Sequence, residues 1–168
     1  MILPFDERRD SLEQLTVMLH AAYRPLLERG LNYTAATQSV ATTEVRIREA
    51  GACWVARNES RIAGTIAYYD RRRDHREPHW YGREEVGYFG QFAVDPATQR
   101  RGLGSALIAL AERQAIEDGK DELACDTAAP AGDLIRFYEK RGFLIVGRHQ
   151  WPGKTYESVV LSKRLAPG

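Results

Sequence analysis

The stretch Gln99-Arg100-Arg101-Gly102-Leu103-Gly104 constrains this chain more than any other. It lies between an apolar run, Val86 to Val94, and an amphipathic pattern that begins at Leu103. It therefore reads as a strand, a tight turn and a helix start. Two glycines at that spacing let the backbone curl until several N–H groups face one point. The helix adds its unpaired N-terminal donors and the positive end of its dipole. Such a joint either holds a phosphate or pyrophosphate or merely turns the chain sharply from strand to helix. A P-loop needs GxxxxGK[ST], and its lysine is missing here. A Rossmann fingerprint needs a third glycine at position 107, where Leu107 stands, and a place after the first strand.

The rest of the chain bounds the setting. Its 168 residues suit one compact domain spanning 1–168. At that length folding hides roughly 70% of the unfolded surface, so a core forms without staples. A net charge of +1 supplies no global field toward nucleic acid or membrane. Cys53 and Cys125 are the only cysteines and neither has a CxxC partner, which fits a reducing, cytoplasmic setting without disulfides. The first ten residues have no signal-type apolar stretch, and no run approaches the ~18 apolar residues of a membrane span.

Along the chain, Ile2, Leu3 and Phe5 suggest a short strand. Leu12, Leu15, Leu19, Tyr23 and Leu26 fall on one helical stripe, with Asp10 or Ser11 as cap, a kink or break at Pro25 and an end at Gly30. Thr37 to Glu49 reads as one further helix stopped by Gly51. Cys53 to Ala56 and Ile62 to Tyr69 read as strands joined by a turn at Asn58-Glu59-Ser60. Residues 71–85 hold five arginines, four acids and two histidines and read as a long loop. Val86 to Val94 is a strand in which Gly87 and Gly90 invite a bulge. A helix from Leu103 to Gly119, a strand at Leu123 to Cys125, a helix from Asp133 to Arg141 and strands at Phe143 to Val146 and Tyr156 to Leu161 complete the order. Strands and helices mix without strict alternation, so the fold class is α+β around a mixed sheet.

Two segments in this order resemble the GNAT superfamily of N-acetyltransferases. Phe92-Ala93-Val94-Asp95-Pro96 followed by Gln99-x-x-Gly102-x-Gly104 looks like its acyl-CoA motif, Q/R-x-x-G-x-G/A. Phe137-Tyr138-Glu139-Lys140-Arg141-Gly142-Phe143 is similar to its later tyrosine-bearing helix that ends in Gly-Phe. The element order fits from about Leu12 to Leu161. The resemblance implies a mostly antiparallel mixed sheet with helices on both faces, whose fourth and fifth strands splay apart around coenzyme A.

Carried onto these residues, it implies that Gln99 marks the turn and that the amides of Arg100, Arg101, Gly102, Leu103, Gly104 and Ser105 bind the pyrophosphate. The two arginine side chains add charge there or are simply solvated. The main chain of Phe92, Ala93 and Val94 would pair with the pantetheine arm like an added strand, with the Phe92 amide set against the thioester carbonyl. Tyr138 would act as general acid toward the departing sulfur, or pack on the sheet as a helix-face aromatic. The general base is open. Where some relatives carry a glutamate on the fourth strand, this chain has Tyr88. Glu85 and Tyr88 lead the candidates, with Glu84, Asp70, His75 and His79 behind them. Ala131 stands where many relatives carry an asparagine. Asp126, at the end of the fifth strand, is a candidate for cofactor or substrate contact or a turn cap.

The acceptor wall would draw on Asn32, Tyr33, the 71–85 loop and His149-Gln150-Trp151. The loop's arginines would greet an acidic molecule, but its acids nearly cancel them, which equally suits a solvated or dimer-forming loop. His20 reads as a helix-face residue. The resemblance implies direct transfer of an acetyl group from acetyl-CoA to a primary amine, small-molecule or peptide, without metal and with a homodimer as the family-level expectation. The lack of a Cys–His or Ser–His pairing in the sequence fits direct attack. A non-catalytic acyl-CoA-binding domain, another acyl group and a hydroxyl acceptor are the alternatives. Nothing resembles a basic, aromatic-interleaved nucleic-acid surface.

Overall fold

The computed structural model describes residues 1–166, so the last two residues of the expected 1–168 domain lie outside the described residues. Strand β1 (Ile2–Pro4) leads into helix α1 (Leu12–Glu28), the short α2 (Thr34–Thr37) and α3 (Val40–Arg48). Then come β2 (Ala52–Asn58), β3 (Arg61–Tyr69), β4 (Val86–Val94), α4 (Leu103–Glu117), β5 (Glu122–Ala128), α5 (Gly132–Glu139), β6 (Leu144–His149) and β7 (Ser158–Arg164). The seven strands form one sheet in the order β1-β2-β3-β4-β5-β7-β6. Every neighbouring pair is antiparallel except β4 and β5.

That parallel pair is short. Val86, Gly87 and Tyr88 face Glu122, Leu123 and Ala124, and beyond them the two strands part. A bulge in β4 helps to drive the parting. Thr65 faces Ala93 and Ala67 faces Gly90, so Gln91 and Phe92 together oppose Ile66, with Gln91 at φ 50°. An extra residue on one strand bends it and tightens its twist. The other bulge-prone glycine does different work. A Cβ on Gly87 would lie 2.7 Å from the Tyr68 ring, so Gly87 is where the sheet yields to a buried tyrosine.

Helices cover both faces. On one face, Leu107, Ile108, Ala111 and Ala115 of α4 pack on Ile66, Tyr68, Phe89, Leu123 and Leu161, with Tyr138 of α5 beside them. Burying Leu107 and Ile108 contributes about 1.5–3 kcal/mol each, and the alanines let the helix lie close. On the other face, Leu15, Met18 and Leu19 of α1 pack on Val55, Ile62 and Ala93.

Local chemistry sets the helix ends and corrects two sequence expectations. The Ser11 Oγ accepts the Gln14 N–H at 3.2 Å and starts α1. Pro25 does not break the helix: it sits in the last turn, where one lost hydrogen bond is tolerable, and α1 runs on to Glu28. Gly30 at φ 82° then closes it, with Gly30 N–H bonded to the Leu27 carbonyl and Leu31 N–H to that of Leu26. The single helix expected over 37–49 is two, because Gln38 is extended and Ser39 caps α3 through the Thr42 N–H at 3.1 Å. In α3 Val45 is exposed and Thr43 is buried. Among the described residues no helix is long and apolar enough to cross a membrane.

Candidate active site

Where β4 and β5 part, a cavity of about 1100 Å³ opens through the sheet. The turn after β4 forms one end. Arg100 and Gly102 both have positive φ, 67° and 79°, and Gly102 is the N-cap of α4 with no side chain bonded over the helix end. The first N–H groups of α4 therefore stay available. Gln99, Arg100, Gly102, Leu103, Gly104 and Ser105 all line the cavity, and Arg101 does not. The Gln99 side chain donates to the Val94 carbonyl at 3.1 Å and braces the turn. Three cations from α5 and its end join this rim: Arg136, Lys140 and Arg141. The Arg141 guanidinium lies 3.5 Å over the Phe137 ring and donates to the Ser105 Oγ at 2.7 Å. An oxygen-rich polyanion such as a diphosphate fits this rim by charge and by donor count.

The middle of the cavity is aromatic. Tyr138 lines it, with the rings of Phe89, Phe92, Phe137 and Phe143 between 5.3 and 6.3 Å away. Burial pushes its hydroxyl well above the ordinary tyrosine range, so it holds its proton at neutral pH. Of the three β4 residues expected to meet the pantetheine arm, all line the cavity. Ala93 and Val94 also pair with β3, and the Phe92 carbonyl accepts the Tyr23 hydroxyl at 2.7 Å. Tyr23 thus pins the bulge from α1.

At the far end, Asp126 comes into view. Its Oδ1 accepts the Tyr81 hydroxyl at 2.5 Å and its Oδ2 accepts the Trp151 Nε1 at 2.8 Å. Burial raises its pKa, against the hydrogen bonds from Tyr81 and Trp151, which favour the charged form. It does not cap the next turn.

The two leading base candidates lie elsewhere. Glu85 sits at the opposite end of β4, outside the cavity lining, ion-paired with Arg83 at 2.6 Å. Tyr88 is sandwiched between the rings of Tyr81, at 3.9 Å, and Tyr69, at 5.1 Å. Its hydroxyl donates to the buried Glu77 at 2.7 Å, and it too is outside the lining. The physical reason is register: Tyr88 and Ala124 still pair across β4 and β5, whereas the gap opens only beyond them. Among the lesser candidates, Asp70 pairs with Arg71, Glu84 lies beside Lys120 on the surface, and His75 and His79 are exposed.

The loop over 71–85 is anything but loosely solvated. Glu77 is only 2% exposed and takes the Arg73 backbone N–H at 2.6 Å, the Arg73 guanidinium at 2.9 Å and Tyr88. A 3₁₀ turn over His79–Gly82 carries Tyr81 inward to Asp126. His149 bonds to the Arg76 carbonyl at 2.6 Å, which fastens the loop to the 149–151 segment. Asn32 and Tyr33 act as braces: Asn32 holds the Thr155 N–H at 2.9 Å, and Tyr33 accepts the Ala128 N–H at 2.9 Å.

Two cavity residues were invisible in the sequence, Arg46 and Lys154, and the partners of Asp126 were not readable there. Arg46 donates to the Gln38 Oε1 at 2.8 Å, and Gln38 in turn donates to Gln91 at 3.0 Å. The only sequence signal was that Arg46 falls in the helical stretch Thr37 to Glu49.

A sheet forked at its centre, with an unblocked helix start on one prong and a tyrosine in the gap, defines an acyltransferase. Residues 14–143 match the acetyltransferase (GNAT) family. The S-(2-succino)cysteine N-acetyltransferase of Bacillus subtilis (strain 168) is 31% identical over 155 residues, covering 91% of this chain and 90% of that protein. The solved yncA, a putative acetyltransferase from Salmonella typhimurium with its cofactor acetyl-CoA, has a TM-score of 0.69 at 17% identity, over 99% of this chain and 94% of that one. A GNAT family acetyltransferase from Elizabethkingia anophelis with acetyl-CoA bound has a TM-score of 0.65 at 17% identity, over 98% and 97%. This chain belongs to the GNAT acetyltransferase family, and its chemistry is N-acetyl transfer.

Proposed function

We propose that the chain, as one catalytic domain over 1–168, moves an acetyl group from acetyl-CoA directly to a primary amine. The observation that carries this reading is the opening of β4 from β5 beside an α4 start whose donors no side chain covers. Acetyl-CoA supplies an activated acyl carbon on a thiol leaving group. The amides from Arg100 to Ser105 and the cations Arg136, Lys140 and Arg141 hold its diphosphate, and Phe92, Ala93 and Val94 run beside its arm. The Phe92 N–H donates to the thioester oxygen, a bond that strengthens as that oxygen gains charge.

Asp126 serves as the general base. It takes one proton from the acceptor's ammonium and passes it to solvent, leaving a lone pair to attack. The N–C bond forms, the C–S bond breaks, and Tyr138 shares its proton with the departing sulfur, which ends as a thiol. The second amine proton restores Tyr138. One proton is released per turnover, and the charges balance.

The relative's activity makes S-(2-succino)cysteine the first acceptor to try. We place the enzyme in the cytoplasm, as a homodimer working without metal, nucleic acid or membrane. A thiol-release assay with acetyl-CoA and a panel of amines tests the reading. Amine-dependent release supports it. Tight coenzyme A binding with no release for any amine would sink it in favour of a binding module.

A further inference from the structure

The acceptor end of the cavity carries an unusual charge pattern. Most charged side chains around it have an opposite partner: Arg73 pairs with Glu77 and Glu49, and Arg76 pairs with Asp74. Three do not. Arg46 reaches the amide oxygen of Gln38, and the Lys154 Nζ donates to the Asn32 carbonyl at 2.8 Å. Neither has a carboxylate within ion-pair distance among the described residues. Asp126 likewise has neutral partners on both oxygens, Tyr81 and Trp151, and no cation within that distance among the described residues.

Two half-buried cations and one half-buried carboxylate thus line one space without an ion pair among the described residues, Arg46 favouring the Asp126 charge only from beyond ion-pair distance. Each forfeits hydration there. Burial, and then Arg46, depress the Lys154 ammonium, while burial raises Asp126. Both shifts mark sites where an opposite charge is favoured. Resting on the reading of the cavity as an N-acetyltransferase site, we propose that the acceptor is a primary amine that itself carries carboxylate groups, its ammonium set against Asp126 and its anions against Arg46 and Lys154. A ligand with that pattern replaces lost hydration with charge-assisted hydrogen bonds at all three points. A polyamine or aminoglycoside would set cations against Arg46 and Lys154, and like charges there select against it.

The test compares two sets of acceptors in the thiol-release assay. The first set is S-carboxymethyl-L-cysteine, L-glutamate and L-aspartate. The second is tyramine, spermidine and L-glutamine amide. At least one member of the first set is expected to exceed every member of the second by 100-fold in kcat/KM. For that amine, Arg46→Gln and Lys154→Met should each raise KM at least 10-fold while kcat stays within about threefold. Lys154 lies outside the core clusters, so its variant serves if Arg46→Gln melts early. Equal or better turnover of the second set overturns this inference and leaves the N-acetyltransferase reading intact. An unchanged KM in Lys154→Met also overturns it. Release with neither set overturns both.

Discussion

Tyr138 and Asp126 approach the same space from opposite faces of the sheet, and their protonation states complement each other. Burial holds the tyrosine neutral and raises the pKa of the carboxylic acid, against the hydrogen bonds from Tyr81 and Trp151. Tyr138→Phe keeps the ring packing and removes the proton. It should lower kcat about 10²- to 10⁴-fold while coenzyme A affinity by calorimetry stays within about threefold. Asp126→Asn should lower kcat at pH 7 on the same scale. It should also flatten the acid limb of the pH–rate profile, because a wild-type enzyme with Asp126 as its base gains rate as that carboxyl loses its proton. A surviving acid limb would assign the base elsewhere. Tyr138 stood out in the sequence because its motif is contiguous. The partners of Asp126 lie 45 and 25 residues away, and no local pattern announces them.

At the scale of elements, glycines mark where chain segments come close or turn sharply. The Gly102 conformation, φ 79°, costs an L side chain about 1–3 kcal/mol, more for a branched one. Gly102→Val should therefore weaken coenzyme A binding at least 10-fold by calorimetry while the fold persists. Unchanged affinity would remove the phosphate-turn role. Gly87→Ala drives a methyl into the buried Tyr68 ring and should cost about 1–3 kcal/mol, seen as a melting temperature lower by several degrees. Gly147→Ala is the control, since nothing lies within 4 Å of its added carbon. The strand at Val86 to Val94 was legible from its residues to within its ends, because its apolar run is long and bounded. The bulge within it fell at Gln91 rather than at a glycine, for its place depends on the register with β3.

For the molecule as a whole, the first ten residues are tied to the sheet through Asp10. Its carboxylate is fully buried and takes the Arg57 guanidinium of β2 at 2.8 Å and that of Arg9 at 3.0 Å. Burial by itself would raise its pKa, but the hydrogen bonds from Arg9, the Asp6 N–H and Arg57 outweigh it and hold the carboxyl below its ordinary value. The native state thus binds the proton less readily than the unfolded chain. The resulting stability is present above the ordinary carboxyl pKa of about 3.9 and is lost as pH falls through the lower native value. Asp10→Asn should cost about 2 kcal/mol at pH 7 by urea unfolding, and the gap to wild type should narrow as the pH drops below about 4. A gap that does not change with pH would assign the loss to packing.

The sequence alone determined the turn, the tyrosine helix and most of the order of strands and helices, because each rests on residues that act on near neighbours, while the forked sheet was legible only through the family resemblance. Helix caps, apolar periodicity and a Gly-x-Gly joint are readable within a few positions. Only the tertiary structure decided which charges meet. It removed Glu85 and Tyr88 from the cavity, buried Glu77 under the loop, and gathered Arg46, Asp126 and Lys154 from three distant segments. The reason is that the worth of a charge depends on burial and on partners brought together by sheet pairing, and neither is encoded in the residues beside it.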